Sequence, residues 1–135
     1  MSKTFYITTT LPYVNAEPHI GFAMELIRAD IIARAKQLQG FDVFFNTGTD
    51  EHGAKIYENA VAKNISPQQY VDVAVEKFTD LAPLLNLATN VSGIEYNFIR
   101  TTDEFHLKSA QAFWQKCFDA GDIYKKNYKI KYCVG

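Results

Sequence analysis

Three consecutive stretches constrain this chain more than any others: Thr4–Thr10 (Thr-Phe-Tyr-Ile-Thr-Thr-Thr), His19–Gln39 and Phe41–Thr47 (Phe-Asp-Val-Phe-Phe-Asn-Thr). The first and third are rich in β-branched and aromatic residues, as strands are, and they close at Leu11-Pro12 and at Gly48. In the second, Ile20, Met24, Ile27, Ile31 and Ala35 recur at a helical period; Pro18 stands where proline suits a helix start, and Gly40 where a helix stops. Strand, helix and strand make a βαβ unit, whose strands pair in parallel through a right-handed crossover. Ligands of parallel sheets gather outside the carboxyl ends of the strands, which places Thr8–Tyr13 beside Thr47–Asp50. The junction Thr8–Phe22 also presents a helix amino end, with its unpaired N–H groups and positive dipole terminus, to anything anionic. The expected fold is α/β, a Rossmann-like parallel sheet with flanking helices.

Past Gly53 a short helix is expected through Ile56, Ala60 and Val61, stopping near Asn64. Ser66-Pro67 opens another, with Val71, Ala74, Val75 and Phe78 on one face, and Pro83 should end or kink it. Tyr96–Arg100 is a third strand. Thr101 and Glu104 have the spacing of a capping box, and the helix they open is expected to turn Leu107, Ala110, Trp114 and Cys117 inward and to end at Gly121. Alternation in Ile123-Tyr124 and Ile130-Lys131-Tyr132-Cys133 around Asn127 predicts a short hairpin over residues 122–135.

At 135 residues with 47% hydrophobic and 21% charged side chains, the chain has the size and composition of one globular domain with a real core, and no apolar run approaches a bilayer span. The N-terminus lacks the pattern of a secretory signal, so no membrane partner is expected and the cytoplasm is the expected location. A net charge of −1 excludes an overall electrostatic draw onto nucleic acid. Cys117 and Cys133 make no disulfide framework; Cys117, on an apolar stripe, is expected to be a buried small hydrophobe.

Two segments carry chemistry. In Pro18-His19-Ile20-Gly21-Phe22 a histidine of the first helical turn can reach a phosphate docked at the helix amino end, and Gly21 removes the side chain that would block a flat nucleotide. That combination suits ATP; taken alone, the motif is more often a plain helix start, with His19 beginning the helix and Gly21 letting it pack closely on the strand. In Gly48-Thr49-Asp50-Glu51-His52-Gly53 a carboxylate between two glycines at a strand end can bind a cationic group, a role that Asp50 fits. The competing readings are a helix cap or first-turn charge for Asp50 or Glu51, and a metal site, the least favoured because contiguous residues rarely converge on one ion.

Taken together, Leu11–Gly21 and, one helix later, Phe45–Gly53 resemble the start of bacterial methionyl-tRNA synthetases. Phe98-Ile99-Arg100-Thr101-Thr102 and Ala120-Gly121-Asp122-Ile123-Tyr124 extend the resemblance over nearly the whole chain. Relatives for valine, leucine and isoleucine share His-x-Gly but typically carry tryptophan where Thr49 stands, which favours methionine. The resemblance implies the first half of a class I synthetase nucleotide-binding fold over 1–121, and the start of an inserted metal-knuckle connective domain over 122–135. It implies the activation of methionine by ATP and its transfer to the 3′ end of tRNA. In the first step a carboxylate, already ionised at neutral pH, attacks the α-phosphate, so catalysis is positioning and charge stabilisation with no general base.

By the same resemblance His19 is the catalytic phosphate contact, within an ATP site of Pro12, Asn15, His19, Gly21, Phe22 and Glu25 in which Gly21 and Glu25 meet the adenosine. Asp50 holds the methionine ammonium, and Leu11 and Tyr13 line the methionine site. Magnesium accompanies ATP. Contacts to tRNA come mainly from family segments outside this stretch, which alone is expected to be inactive or nearly so. Phe22 stands where the family's signature usually ends in a second histidine, and it can donate no hydrogen bond. Cys133 matches the first cysteine of a zinc knuckle, but one thiolate makes no tetrahedral site, so zinc is expected only in a longer chain. The basic, aromatic run Lys125–Lys131 suits an RNA acceptor stem, yet such alternation is more often the solvated face of a hairpin. Two alternatives stand beside this reading: another nucleotidyltransferase of the same fold, which needs no Asp50, and a non-catalytic piece that binds or assembles with a complementary chain through an open sheet edge.

Overall fold

The structure is a computed structural model that describes residues 3–131. Along the chain run β1 (Lys3–Thr8), α1 (Ile20–Leu38), β2 (Phe41–Thr49), α2 (Ala54–Ala62), α3 (Pro67–Thr79), α4 (Leu81–Leu84), β3 (Ile94–Arg100) and α5 (Glu104–Asp119). The strands form one sheet in the order β1-β2-β3. Both pairings are parallel, with Ile7 opposite Phe45 and Phe45 opposite Tyr96. The α/β architecture expected from the βαβ pattern is therefore the one found. Contacts divide the chain into two units, Met1–Asp103 and Glu104–Gly135.

In the first unit β2 is the central strand, and its residues from Phe45 to Thr49 are buried. α1 packs Ala29 and Ala33 against Val43 and Phe45, while Phe22 and Leu26 join Val14, Ile56, Val71 and Phe78 in a second cluster. Ile20, Met24, Ile27 and Ile31, the stripe most visible in the sequence, are exposed. Both stripes have helical spacing; the two alanines settle which one meets the sheet, since small side chains let the helix axis come close. On the other face of the sheet Tyr6 stacks on Phe44 with ring centroids 5.5 Å apart, and Tyr6 remains exposed.

α3 starts as its sequence requires. Ser66 and Gln69 form a reciprocal capping box and Pro67 occupies the first turn. Val71, Val75 and Phe78 are buried. The helix stops at Thr79, because Pro83 has no N–H to return to that carbonyl, and the chain resumes in the single turn of α4.

Three expectations are corrected. Thr101 and Glu104 form no capping box: the Thr101 hydroxyl accepts the Glu51 N–H at 2.8 Å, and Glu104 is itself the first residue of α5. α5 buries none of its residues; Trp114 is 63% exposed and Cys117 only half-buried. Among the described residues its unit contains one helix and no strand, so nothing described inside that unit covers an amphipathic stripe. Residues 122–131 contain no strand, so the described part of the expected hairpin is not formed, and its remainder, 132–135, lies outside the described residues. A lone two-stranded ribbon is marginal without a further surface to pack on. Cys133 lies outside the described residues. Among those residues no helix is long and apolar enough to cross a membrane.

Candidate active site

β1 and β2 continue their contact past the end of β1. The Thr9 N–H reaches the Asn46 carbonyl at 3.2 Å, and the buried Thr9 and Thr47 hydroxyls meet at 2.7 Å. After an interruption the Asp50 N–H donates to the Pro12 carbonyl at 2.9 Å and the Val14 N–H to the Asp50 carbonyl at 3.2 Å. Tyr13 and Asp50 thus form an isolated parallel bridge. The juxtaposition of Thr8–Tyr13 with Thr47–Asp50 is realised in the backbone itself. Among the described residues the Asp50 carboxylate accepts only one long contact, from the His52 N–H at 3.5 Å. Most of its acceptor capacity is open for a cation. Tyr13 lies over Gly53, where a Cβ would stand 2.7 Å from the phenol oxygen.

His19 caps α1. Its carbonyl accepts the N–H groups of Phe22 and Ala23, and its Nδ1 accepts the Gly21 N–H at 3.1 Å. With Nδ1 as acceptor, a neutral imidazole carries its proton on Nε2, which is left as a donor. Glu25, one turn further on, accepts the Thr10 N–H at 2.7 Å and the Thr10 hydroxyl at 2.6 Å. These bonds, the hydroxyl's first and the N–H's second, hold its carboxyl below the ordinary glutamate value against a small opposing effect of burial.

Between these groups lies a cleft of about 390 Å³. Of the residues expected from the sequence, Pro12, Tyr13, Asn15, His19, Gly21, Phe22 and Glu25 line it. Leu11 and Asp50 are not on its wall; Asp50 adjoins it through the bridge to Tyr13. The Phe22 ring is 5% exposed and lies 5.9 Å from the Phe78 ring, so at this position the cleft has an apolar wall where a histidine would have offered a donor. Thr10, inside the expected Thr8–Phe22 junction, lines it too; Phe78 also lines the cleft and was not foreseen, since it shows in the sequence only as one more apolar position of α3.

The run Asp50-Glu51-His52 diverges. The His52 ring meets the Thr101 carbonyl at 3.0 Å, and the Glu51 side chain is 0% exposed, paired with Arg100 at 2.8 Å. Among the described residues no three His, Cys, Asp or Glu side chains gather as a metal site. Neither Asp50 nor Glu51 caps α2, whose cap residue is Gly53 without a side-chain bond. Glu51 also accepts the Thr49 hydroxyl at 2.7 Å. Arg100 reaches Asp72 as well, at 2.7 Å; its pKa is raised, first by the bond to Glu51, and that of Asp72 is lowered, first by Arg100. A signal for Glu51 existed: Thr47, Thr49 and Glu51 follow a strand's period of two, which puts Glu51 on the side of two buried threonines and Asp50 on the other.

Residues 5–135 match the family model described as tRNA synthetases class I (M). The methionine–tRNA ligase of Thermotoga maritima is 50% identical over 130 residues, which is 96% of this chain and 20% of that protein. That of Rickettsia conorii is 45% identical over 134 residues, 99% of this chain and 25% of that protein. Among solved structures, Mycobacterium tuberculosis methionyl-tRNA synthetase in complex with methionyl-adenylate superposes with a TM-score of 0.83 at 40% identity, over 93% of this chain and 24% of that one. The chain thus spans 20% to 25% of the length of these curated relatives.

Proposed function

The chain belongs to the tRNA synthetases of class I (M), and from that premise we propose that it carries the ATP cleft and the amino-group anchor for the activation of methionine. The observation that carries this reading is the Tyr13–Asp50 bridge, which joins the strand end that leads to the nucleotide cleft to the strand end that bears an open carboxylate. Two sites for two substrates stand next to each other across one pair of strands.

ATP lies in the cleft with its phosphates toward the amino end of α1, where the positive end of the helix dipole favours negative charge. The His19 Nε2–H donates to a phosphate oxygen and strengthens that bond as charge builds on the phosphate during reaction. The adenosine lies along Gly21 and against the apolar wall of Phe22 and Phe78, with Glu25 using the acceptor capacity that Thr10 leaves free. Asp50 takes the methionine ammonium, and Tyr13 and Leu11 flank it. So held, the methionine carboxylate attacks the α-phosphorus; the new O–P bond forms as the bond to pyrophosphate breaks, and the electron pair leaves with pyrophosphate. Magnesium arrives with the triphosphate, and no residue of this chain is assigned to hold it, since no group of three ligating side chains gathers among the described residues. Transfer of the methionyl group to tRNA, in the cytoplasm, belongs to the same proposal for the protein as a whole.

Calorimetry on the chain tests the reading. His19→Ala is expected to weaken ATP binding with methionine binding kept, and Asp50→Asn to do the reverse. Equal binding by wild type and both variants would overturn the assignment.

A further inference from the structure

Glu51 is the most enclosed charged side chain of the site, and the proposed chemistry leaves it without a role. A carboxylate taken wholly out of water is costly unless it is paired and hydrogen-bonded all round. Glu51 meets that condition: it accepts from Thr49 Oγ1 at 2.7 Å, from Arg100 Nε at 2.8 and 3.0 Å and from Thr102 Oγ1 at 2.5 Å. Its own N–H donates to Thr101 Oγ1 at 2.8 Å, and the Thr101 N–H returns to the Thr49 carbonyl at 3.2 Å. The end of β2 is thereby fastened to the end of β3 on both sides of Asp50.

Asp50 itself is fastened the other way. Its N–H and carbonyl are held by Pro12 and Val14, on the side of β1. Its carboxylate has one long hydrogen bond of its own, so the direction of that side chain is inherited from its backbone. We propose that Glu51 is a positioning residue for amino-acid binding: by locking the chain to Arg100, Thr101 and Thr102 it fixes the backbone from which Asp50 reaches the substrate ammonium. The proposal rests on the reading of Asp50 given above. Glu51 touches no substrate, and its effect passes through Asp50 alone.

Glu51→Gln keeps the shape, but whichever oxygen becomes the amide NH2 faces the Arg100 Nε–H donor, so the fastening to Arg100 is weakened. Methionine and ATP binding are measured by calorimetry for the 135-residue chain, for Glu51→Gln, for Asp50→Asn and for the double variant. The expected result is a loss of methionine affinity of about tenfold in Glu51→Gln, with ATP affinity changed less than about twofold. In the Asp50→Asn background the same substitution is expected to cost methionine affinity less than about twofold, because the group it positions is already gone. Should Glu51→Gln fail to fold, Thr102→Val removes a single bond and is expected to give a selective methionine loss of about threefold. Equal losses for methionine and ATP, or a full additional loss in the double variant, would mark a merely structural role and overturn the inference. Methionine binding lost in Asp50→Asn but kept in Glu51→Gln overturns the inference alone. Methionine binding unchanged in Asp50→Asn overturns the reading of the site as well.

Discussion

Gly21→Ala separates the stability of α1 from its proposed part in ATP binding. A Cβ at Gly21 would stand 2.9 Å from both Nδ1 and Cε1 of His19, closer than real contacts allow, so the imidazole must turn away. The cap from Nδ1 to the Gly21 N–H is then lost, a cost of about 1 kcal/mol. Alanine in place of glycine in a helix returns up to about 1 kcal/mol. The two nearly cancel, and the melting temperature should move by no more than a few degrees. Binding has no such compensation. The turned ring no longer offers Nε2–H to a phosphate, and a hydrogen bond to a charged group contributes about 1.5–3 kcal/mol, so ATP affinity should fall roughly ten- to a hundredfold. Calorimetric titration with ATP beside a thermal melt reads both effects on one sample. An unchanged ATP affinity, in a background where His19→Ala lowers it, would show that the ring is not oriented by Gly21 and would refute the reasoning.

Two further predictions address the supports of the site. The Thr10 bonds depress the folded-state pKa of Glu25 below its ordinary value of 4.5, so the stability they confer is present above that value and disappears as the pH falls through the folded-state value. In Glu25→Gln the urea midpoint should fall less steeply with acid below about pH 5 than in wild type, and identical slopes would contradict the linkage. Gly48 has φ +159°, and a Cβ there would lie 2.0 Å from the Ile99 carbonyl oxygen, which belongs to the paired strand and cannot yield. Gly48→Ala should cost about 3 kcal/mol or more in urea unfolding, and a midpoint equal to wild type would mean that β2 and β3 do not meet in this register.

The βαβ core was legible because a period of two and a period of 3.6 are separate signals, and each was bounded by its own punctuation: Leu11-Pro12, Pro18, Gly40 and Gly48. From there the rule that ligands gather at strand carboxyl ends was enough to bring Asp50 beside Tyr13. The facing of α1 was not legible, since its exposed isoleucine stripe and its sheet-facing stripe share one period and only close packing on Val43 and Phe45 chooses between them. Thr101 and Glu104 show why local motifs fail at a sheet end. Thr101 faced a choice between capping its own helix and accepting the Glu51 N–H, and a partner distant in sequence won. Arg100, Thr102 and Phe78 join the site through such distant pairings too, which no spacing within one segment encodes.

In the proposed site one strand pair joins a nucleotide cleft to an amino-group anchor. Amide chemical-shift mapping on the isotope-labelled chain, titrated with a non-hydrolysable methionyl-adenylate analogue, tests it most directly. The shifts are expected to gather at Thr10, Val14, Gly21 and Asp50, around the carboxyl ends of β1 and β2, and to leave Tyr6, Phe44 and Glu95 on the open face of the sheet unmoved. Shifts centred on Tyr6, Phe44 and Glu95, with Gly21 and Asp50 silent, would contradict it.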